Sequence, residues 1–152
     1  MKIRKATRED EDAIWTLFYE TVHSVNSRDY SSEQIEAWAP ENPSWSWRDA
    51  LRKNISYVVE EKGKLLGFAD RTVQGFLEGL YVHKNYQGKG IATLLLEKME
   101  EEAKLLGLKE IATEGSITAR PFFEAKGFTC VQKQKKNLRG VSFINYIMKK
   151  TL

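Results

Sequence analysis

A glycine-rich turn between a predicted strand and a predicted helix constrains this chain more than any other feature. Gly88 and Gly90 follow the alternating segment 76–82 and precede a helical pattern that ends near Gly107. Glycine lets the backbone turn so that successive N–H groups point the same way, and a helix N-terminus adds positive potential. The segment therefore predicts an anion-binding turn suited to a pyrophosphate. Neither G-x-x-x-x-G-K-S/T nor G-x-G-x-x-G occurs here, so the common nucleotide-binding patterns do not apply.

Apolar periodicity divides the chain into strands and helices. Strands are predicted at 3–4, 55–61, 65–73, 76–82, 110–113, 128–136 and 141–149. Helices are predicted to begin after Thr7, at Ser31 or Ser32, at Ser46, at Ile91 and at Thr118. The strand at 110–113 follows a helix and should run parallel to the strand at 76–82, whereas strands with short connections favour an antiparallel meander. The pattern predicts an α+β fold with a mixed sheet.

Two of the predicted helices carry an apolar stripe at three- and four-residue steps. The first stripe consists of Ile14, Leu17, Phe18, Thr21, Val22 and Val25. The second stripe consists of Ile91, Leu94, Leu95, Met99, Ala103 and Leu106. Each stripe predicts one buried helix face.

The composition indicates one globular domain over residues 1–152. Of these 152 residues, 41% are hydrophobic and 30% are charged, and no stretch approaches the roughly 20 apolar residues of a membrane span. No repeat or linker divides the chain, and no apolar export signal follows its first residues. The single cysteine, Cys130, cannot form an internal disulfide, which suits a reducing compartment. We therefore expect one cytoplasmic domain that does not bind membranes.

A basic cluster, Lys133, Lys135, Lys136 and Arg139, lies near the C-terminus. It could meet phosphate or an acidic partner, but charged hairpin tips also keep a strand edge soluble, and we favour the second interpretation. No aromatic and basic stripe accompanies the cluster, so no nucleic-acid partner is expected. The two histidines and the cysteine are widely separated, so no metal site is expected either.

Two motifs resemble those of the GNAT superfamily of N-acetyltransferases. The turn Gln87-Gly88-Lys89-Gly90-Ile91-Ala92 is similar to the family's (Arg/Gln)-x-x-Gly-x-(Gly/Ala) acetyl-CoA motif, with Leu80 and Val82 as the usual strand end. Residues 116–128, SITARPFFEAKGF, resemble the family's Asn-x-x-Ala-x-x-Phe-Tyr-Glu-x-x-Gly-Phe helix. The order of the other elements matches over nearly the whole chain. A finer likeness, to the YafP-like bacterial acetyltransferases, is carried by residues 30–38 and 116–119.

The resemblance implies a GNAT-type acyl-CoA N-acyltransferase fold, with a mostly antiparallel mixed sheet flanked by helices, and acetyl-CoA as cosubstrate. It implies that the amides of residues 88–92 hold the pyrophosphate. Backbone groups of residues 80–82 would pair with the pantetheine arm like an added strand. The implied cofactor-binding residues are Leu80, Tyr81, Val82, Gln87, Gly88, Lys89, Gly90, Ile91, Ala92, Thr93, Ser116, Ala119, Phe122 and Phe123.

Acetyl transfer needs a base for the amine and, usually, an acid for the departing thiolate. Glu78 is the candidate base, because many family members carry a carboxylate at this place; an outward-facing strand residue is the alternative. The tyrosine that often serves as the family's acid is replaced by Phe123. Tyr81 or Tyr146 could take its place, although tyrosines in strands are more often structural.

The acceptor is expected to be a primary amine of a small molecule or peptide, which attacks the thioester directly in a ternary complex. Candidate acceptor-binding residues are His23, Tyr30 and Trp38, and a helix-end contact or a core position is the alternative. Because of Phe123, a catalytically silent acetyl-CoA-binding regulatory module is the second hypothesis. Exposed sheet edges or helices would also allow a homodimer.

Overall fold

The computed structural model describes residues 1–152, which form seven strands and five α-helices. The strands are β1 (Lys2–Lys5), β2 (Ile55–Glu61), β3 (Lys64–Arg71), β4 (Phe76–Val82), β5 (Glu110–Gly115), β6 (Thr129–Leu138) and β7 (Val141–Thr151). The helices are α1 (Glu11–Ser24), α2 (Ser32–Trp38), α3 (Trp45–Lys53), α4 (Ile91–Leu105) and α5 (Arg120–Ala125). Short 3₁₀ turns at Arg8–Asp10 and Asn26–Arg28 flank α1. The predicted α+β class is confirmed.

All seven strands belong to one sheet with the order β1-β2-β3-β4-β5-β7-β6. Neighbouring strands are antiparallel except β4 and β5, which are parallel because α4 crosses over between them. The β4–β5 pairing is short and joins only Phe76 to Ala112 and Leu77 to Thr113. From Glu78 to Val82, β4 therefore has no partner on the β5 side, and the sheet opens there.

The sheet buries an apolar cluster on each of its two faces. Val58 and Val59 are both fully buried but belong to different clusters, as the two-residue period of a strand requires. Helices α4 and α5 cover one face through side chains such as Leu95 and Phe123. Helices α1, α2 and α3 cover the other face, and the predicted α1 stripe is buried there except for the half-buried Val25.

Capping explains why some boundaries differ from those predicted. Helix α3 begins before Ser46, because the hydroxyl of Ser44 accepts a hydrogen bond from the Trp47 N–H at 3.1 Å. The predicted α4 stripe is wrong at Leu106, which is 61% exposed because the helix ends one residue earlier. Local capping thus decides the ends of elements whose existence periodicity predicts.

The basic cluster lies on and just after the edge strand β6. Lys136 pairs with Glu114 at 2.6 Å, and Arg139 donates a hydrogen bond to the Ala37 carbonyl oxygen. Two of its members therefore attach β6 to the rest of the fold. No three His, Cys, Asp or Glu side chains are grouped so that they could hold a metal ion, and none of the helices is long and apolar enough to cross a membrane.

Candidate functional site

The glycine-rich turn presents a row of unused backbone donors. Gly88 and Gly90 have φ angles of 72° and 83°, in the left-handed region that glycine adopts without strain. No backbone N–H from Gln87 to Thr93 donates to an acceptor within the protein. The side-chain amide of Gln87 donates to the Val82 carbonyl oxygen at 2.6 Å, which attaches the turn to the end of β4. Consecutive donors at the start of α4 are therefore free to bind an anion.

The segment that carries these donors, apart from Lys89, lines a cavity of about 420 Å³ in the gap between β4 and β5, here called the glycine-turn cavity. Most of the predicted cofactor-binding residues line it, namely Leu80, Tyr81, Val82, Gln87, Gly88, Gly90, Ile91, Ala92, Thr93, Ser116, Ala119, Phe122 and Phe123. Its other lining residues are Thr21, Val25, Asn26, Trp38, Glu78, Tyr86, Thr113, Glu114 and Thr118. The structure thus brings two distant motifs to one cavity.

A second cavity of about 400 Å³, here called the aromatic cavity, adjoins the first. It is lined by Tyr30, Trp38, Phe76, Leu77, Glu78, Tyr81, Glu114, Ser116, Lys136, Leu138, Phe143 and Asn145. Tyr30 and Trp38, two of the candidate acceptor-binding residues, therefore belong to this cavity. Five residues line both cavities, namely Trp38, Glu78, Tyr81, Glu114 and Ser116. The two cavities meet at these side chains.

Glu78, Asn54 and Asp70 form a hydrogen-bonded group where the cavities meet. The Asn54 side-chain amide donates to Glu78 Oε2 at 3.0 Å and to Asp70 Oδ2 at 2.9 Å. Asp70 is 7% exposed, and its burial, reinforced by the charge of Glu78, raises its pKa to about 6. Glu78 is exposed and forms no ion pair. An uncompensated carboxylate therefore lines both cavities.

Tyr81 and Phe123 determine which acid the site could use. The ring of Tyr81 packs against Phe18 and Phe68 at centroid distances of 5.0 and 5.7 Å. Burial raises the pKa of the Tyr81 hydroxyl, although a polar contact with Trp38 opposes the rise. The hydroxyl therefore stays protonated at neutral pH and can donate a hydrogen bond. Phe123 is 3% exposed, lies in the core and carries no donor.

Three predicted site residues lie outside both cavities. Lys89 is exposed and lines neither of them. Tyr146 lines neither cavity, and the Arg120 guanidinium lies over its ring, 4.3 Å from the ring centroid. His23 also lines neither cavity, and its Nε2 makes a hydrogen bond of 2.8 Å with the Ala39 carbonyl oxygen.

The sequence pattern misses much of the aromatic cavity. Periodicity assigns Phe76 and Phe143 only to strands, ends the predicted strand before Leu138, and does not show that the three side chains meet. Asn54 and Asp70 are missed as well, because they are 16 residues apart and only the β2–β3 pairing brings them together. The sequence does contain one signal that could have indicated Asp70. A charged residue in an otherwise apolar strand is rarely buried unless it has a specific partner.

Comparisons with known proteins identify the family. Residues 26–151 match the family model of the acetyltransferase (GNAT) domain. The chain belongs to the GNAT family. YafP of Escherichia coli K12, described as an uncharacterized N-acetyltransferase, is 31% identical over 149 residues, which cover 98% of this chain and 95% of YafP. The predicted resemblance to GNAT and YafP-like proteins is thus confirmed.

Solved structures show the same fold. A GCN5-related N-acetyltransferase from Rhodopseudomonas palustris matches with a TM-score of 0.94 at 27% identity, covering 99% of this GNAT domain and 95% of that chain. The PaiA N-acetyltransferase from Thermoplasma acidophilum, solved in complex with coenzyme A, matches with a TM-score of 0.80 at 21% identity. The match covers 99% of this chain and 98% of that chain. The predicted GNAT fold is therefore confirmed.

Family membership also confirms the predicted enzyme class. The chain is an acetyl-CoA-dependent N-acetyltransferase, and acetyl-CoA is its cosubstrate. The free donors of the glycine-rich turn and the open edge of β4 are compatible with a pyrophosphate followed by an extended arm.

Proposed function

We propose that this GNAT domain, acting as one unit over residues 1–152, transfers the acetyl group to a primary amine of a small molecule or peptide. The amine attacks the thioester directly while both substrates are bound. The observation that carries the proposal is the run of unused N–H groups from Gln87 to Thr93, facing a cavity that meets a second one at Glu78. Two adjoining cavities allow two substrates to react without a covalent enzyme intermediate.

The glycine-turn cavity is proposed to hold acetyl-CoA. Its pyrophosphate would accept hydrogen bonds from the free amides of residues 88–92, where the positive end of α4 favours negative charge. Its pantetheine arm would pair with the backbone of Leu80 to Val82, because β4 has no partner on the β5 side there. The thioester would then lie near Glu78, Ser116 and Phe122, which all line this cavity.

The chemistry requires one proton to leave before attack and one after it. Glu78, directly or through water, takes a proton from the acceptor ammonium, because an alkylamine with a pKa near 10 is mostly protonated at neutral pH. The nitrogen lone pair forms the C–N bond, and the carbonyl electron pair moves to oxygen and returns as the C–S bond breaks. The second amine proton neutralises the CoA thiolate. The Tyr81 hydroxyl, which lines both cavities, would donate a hydrogen bond to the developing negative charge.

Calorimetric titration with acetyl-CoA, followed by a thiol-release assay with a panel of amines, tests the proposal. We expect binding at micromolar strength and thiol release with at least one amine. The variant Glu78→Gln should lose about 100-fold in kcat, because a positioned base contributes at least that much, and should keep its acetyl-CoA affinity. Absence of acetyl-CoA binding would contradict the proposal at its first step.

The second hypothesis from the sequence, a catalytically silent acetyl-CoA-binding module, depends on Phe123 in place of the expected acid, and the family assignment speaks against it. Such a module would bind acetyl-CoA and release no thiol with any amine, and Glu78→Gln would change neither result.

A cytoplasmic location and a homodimer stay predictions from the sequence. Analytical ultracentrifugation of the purified protein would test the homodimer.

A further inference from the structure

Most polar groups that line the aromatic cavity are already satisfied within the protein. The Tyr30 hydroxyl donates to the Ile144 carbonyl oxygen at 3.0 Å and accepts from the Ile117 N–H at 2.9 Å. The Ser116 hydroxyl oxygen accepts from the Ala119 N–H at 3.0 Å. A ligand in this cavity therefore finds few polar atoms in need of a partner.

The charges on the β5 and β6 side of the cavity neutralise one another. The Lys136 ammonium lies 2.6 Å from Glu114 Oε2, and the Asn145 amide donates to the same oxygen at 3.4 Å. The Asn145 carbonyl oxygen accepts from the Gln134 amide at 2.8 Å. Neither a free cation nor a free anion remains on this wall.

Glu78 is the exception in this lining. Its hydrogen-bond partner is the neutral amide of Asn54, which contacts only Oε2, and no cationic side chain pairs with it. An uncompensated carboxylate beside apolar walls attracts a cation more strongly than one in open water, because the surroundings screen it less. The cavity thus contains one position suited to a single ammonium group.

The rest of the wall is apolar and mostly aromatic. Trp38 contacts Tyr30, Phe143 and Tyr81 at centroid distances of 5.2, 6.2 and 6.5 Å, each in an edge-to-face arrangement. Such rings pack well against a flat apolar group, and their faces also attract a cation. The volume of about 400 Å³ lies in the range of roughly 300–1,000 Å³ that is usual for small-molecule sites.

We propose that the aromatic cavity selects an arylalkylamine: a single primary ammonium group that contacts Glu78, carried by a short chain on an apolar ring. This inference rests on the proposed function and narrows its acceptor. A polyamine or an aminoglycoside would bring several further ammonium or hydroxyl groups into a lining with no second uncompensated charge and few free hydrogen-bond partners for them. A peptide would do the same with its backbone amides.

Binding of amines to the CoA-loaded protein tests the inference without requiring turnover. Phenethylamine should bind at least about tenfold more tightly than spermidine or trialanine, because only phenethylamine leaves no polar group unpaired. Phenethyl alcohol, which has the same ring but no ammonium group, should also bind about tenfold more weakly, since it gives Glu78 no cation. Isothermal titration at one salt concentration measures all four.

Two variants test whether the apolar wall is responsible. Phe76 and Leu138 line the aromatic cavity but not the glycine-turn cavity. Phe76→Ala and Leu138→Ala should each weaken phenethylamine binding roughly tenfold, as losing an apolar contact typically does, and leave acetyl-CoA affinity unchanged. Val131→Ala is the matched control, because Val131 is a 58% exposed apolar residue on the same strand as Leu138.

Different experimental results would contradict the inference and the proposed function. Equal or tighter binding of spermidine or trialanine would overturn the inference, as would unchanged phenethylamine binding in folded Leu138→Ala. Turnover of a polar amine alone would overturn the inference and leave the proposed function standing. Selective phenethylamine binding without thiol release would uphold the inference about the cavity and contradict the proposed reaction.

Discussion

The glycine-turn cavity and the aromatic cavity adjoin each other but differ in which groups of the protein form them. The proposed anion-binding end of the first consists of backbone N–H groups from one continuous segment, Gln87 to Thr93. The second is lined by residues from β4, β5, β6, β7 and α2 and by Tyr30 and Ser116, and most of them carry apolar side chains. A backbone-built site depends on local conformation, whereas a side-chain-built site depends on strand register and packing.

The two cavities therefore depend on different features of the sequence in the proposed reaction. A backbone cradle recognises a pyrophosphate through donors that every residue possesses, so its requirement is a permitted φ angle and not a particular side chain. The aromatic cavity depends on which rings and charges converge, so single substitutions can change its ligand. We therefore expect the two cavities to respond to substitution in different ways.

The strongest test of the comparison is Gly90→Val. A branched side chain at a φ of 83° is strained and occupies the space in front of the free amides, so acetyl-CoA affinity should fall roughly 1,000-fold or more, equivalent to about 4 kcal/mol. Gly107→Val is the control, since Gly107 has a φ of 80° and equally open space at the other end of α4. Calorimetry should show normal affinity in Gly107→Val. Equal loss in both variants would mean that helix strain, and not the cradle, is responsible.

The buried Asp70, which Asn54 joins to Glu78, is expected to carry a folding cost that the backbone cradle lacks. The Asp70 pKa of about 6 in the folded state is above its ordinary 3.8, so on raising the pH the unfolded chain releases this proton first. Asp70 therefore lowers the free energy of unfolding between about pH 4 and pH 6, by up to roughly 3 kcal/mol. Relative to the wild type, Asp70→Asn should become more stable across this range. Denaturant titrations at several pH values measure the difference, and parallel pH curves for both proteins would refute it.

A smaller effect is expected from Asn54→Ala. This change removes the amide that joins Glu78 to Asp70, so kcat should fall about tenfold while acetyl-CoA affinity stays normal, because a misplaced base slows the reaction. Asn137→Ala is the matched control, since Asn137 caps a hairpin turn through the Gly140 N–H at 3.1 Å. Thiol-release kinetics measure both variants. An unchanged kcat in Asn54→Ala would show that Glu78 needs no positioning by this amide.

The smallest effect distinguishes the two candidate tyrosines. Tyr146→Phe should change kcat less than about twofold, because Tyr146 lines neither cavity. Tyr81→Phe removes a hydroxyl that lines both, and kcat should fall about fivefold, a modest loss because a thiolate leaves tolerably without an acid. Thiol-release assays at saturating acetyl-CoA compare the two. A larger loss in Tyr146→Phe would place the donor on β7 and not on β4.

The sequence predicts the secondary structure well and the site unevenly. Strands β2 and β4 begin and end where period-two alternation predicts, because each strand is bounded by a turn or a helix cap of its own. The end of β3 and the exposure of Leu106 are predicted incorrectly, since they depend on neighbouring strands and on where α4 ends. The lining of the glycine-turn cavity follows largely from two motifs, but three of the proposed site residues, Lys89, Tyr146 and His23, lie elsewhere.

By itself the sequence determined the α+β class, the turn at Gly88 and Gly90 and its suitability for an anion, because these depend on periodicity and on local φ angles. Only the tertiary structure decided that β4 and β5 separate after Leu77, that Asn54 joins two carboxylates and that five aromatic residues line one cavity with an uncompensated carboxylate. These features join residues distant in the chain. Their contacts depend on sheet order and register, which the packing of the whole chain selects and no local pattern encodes.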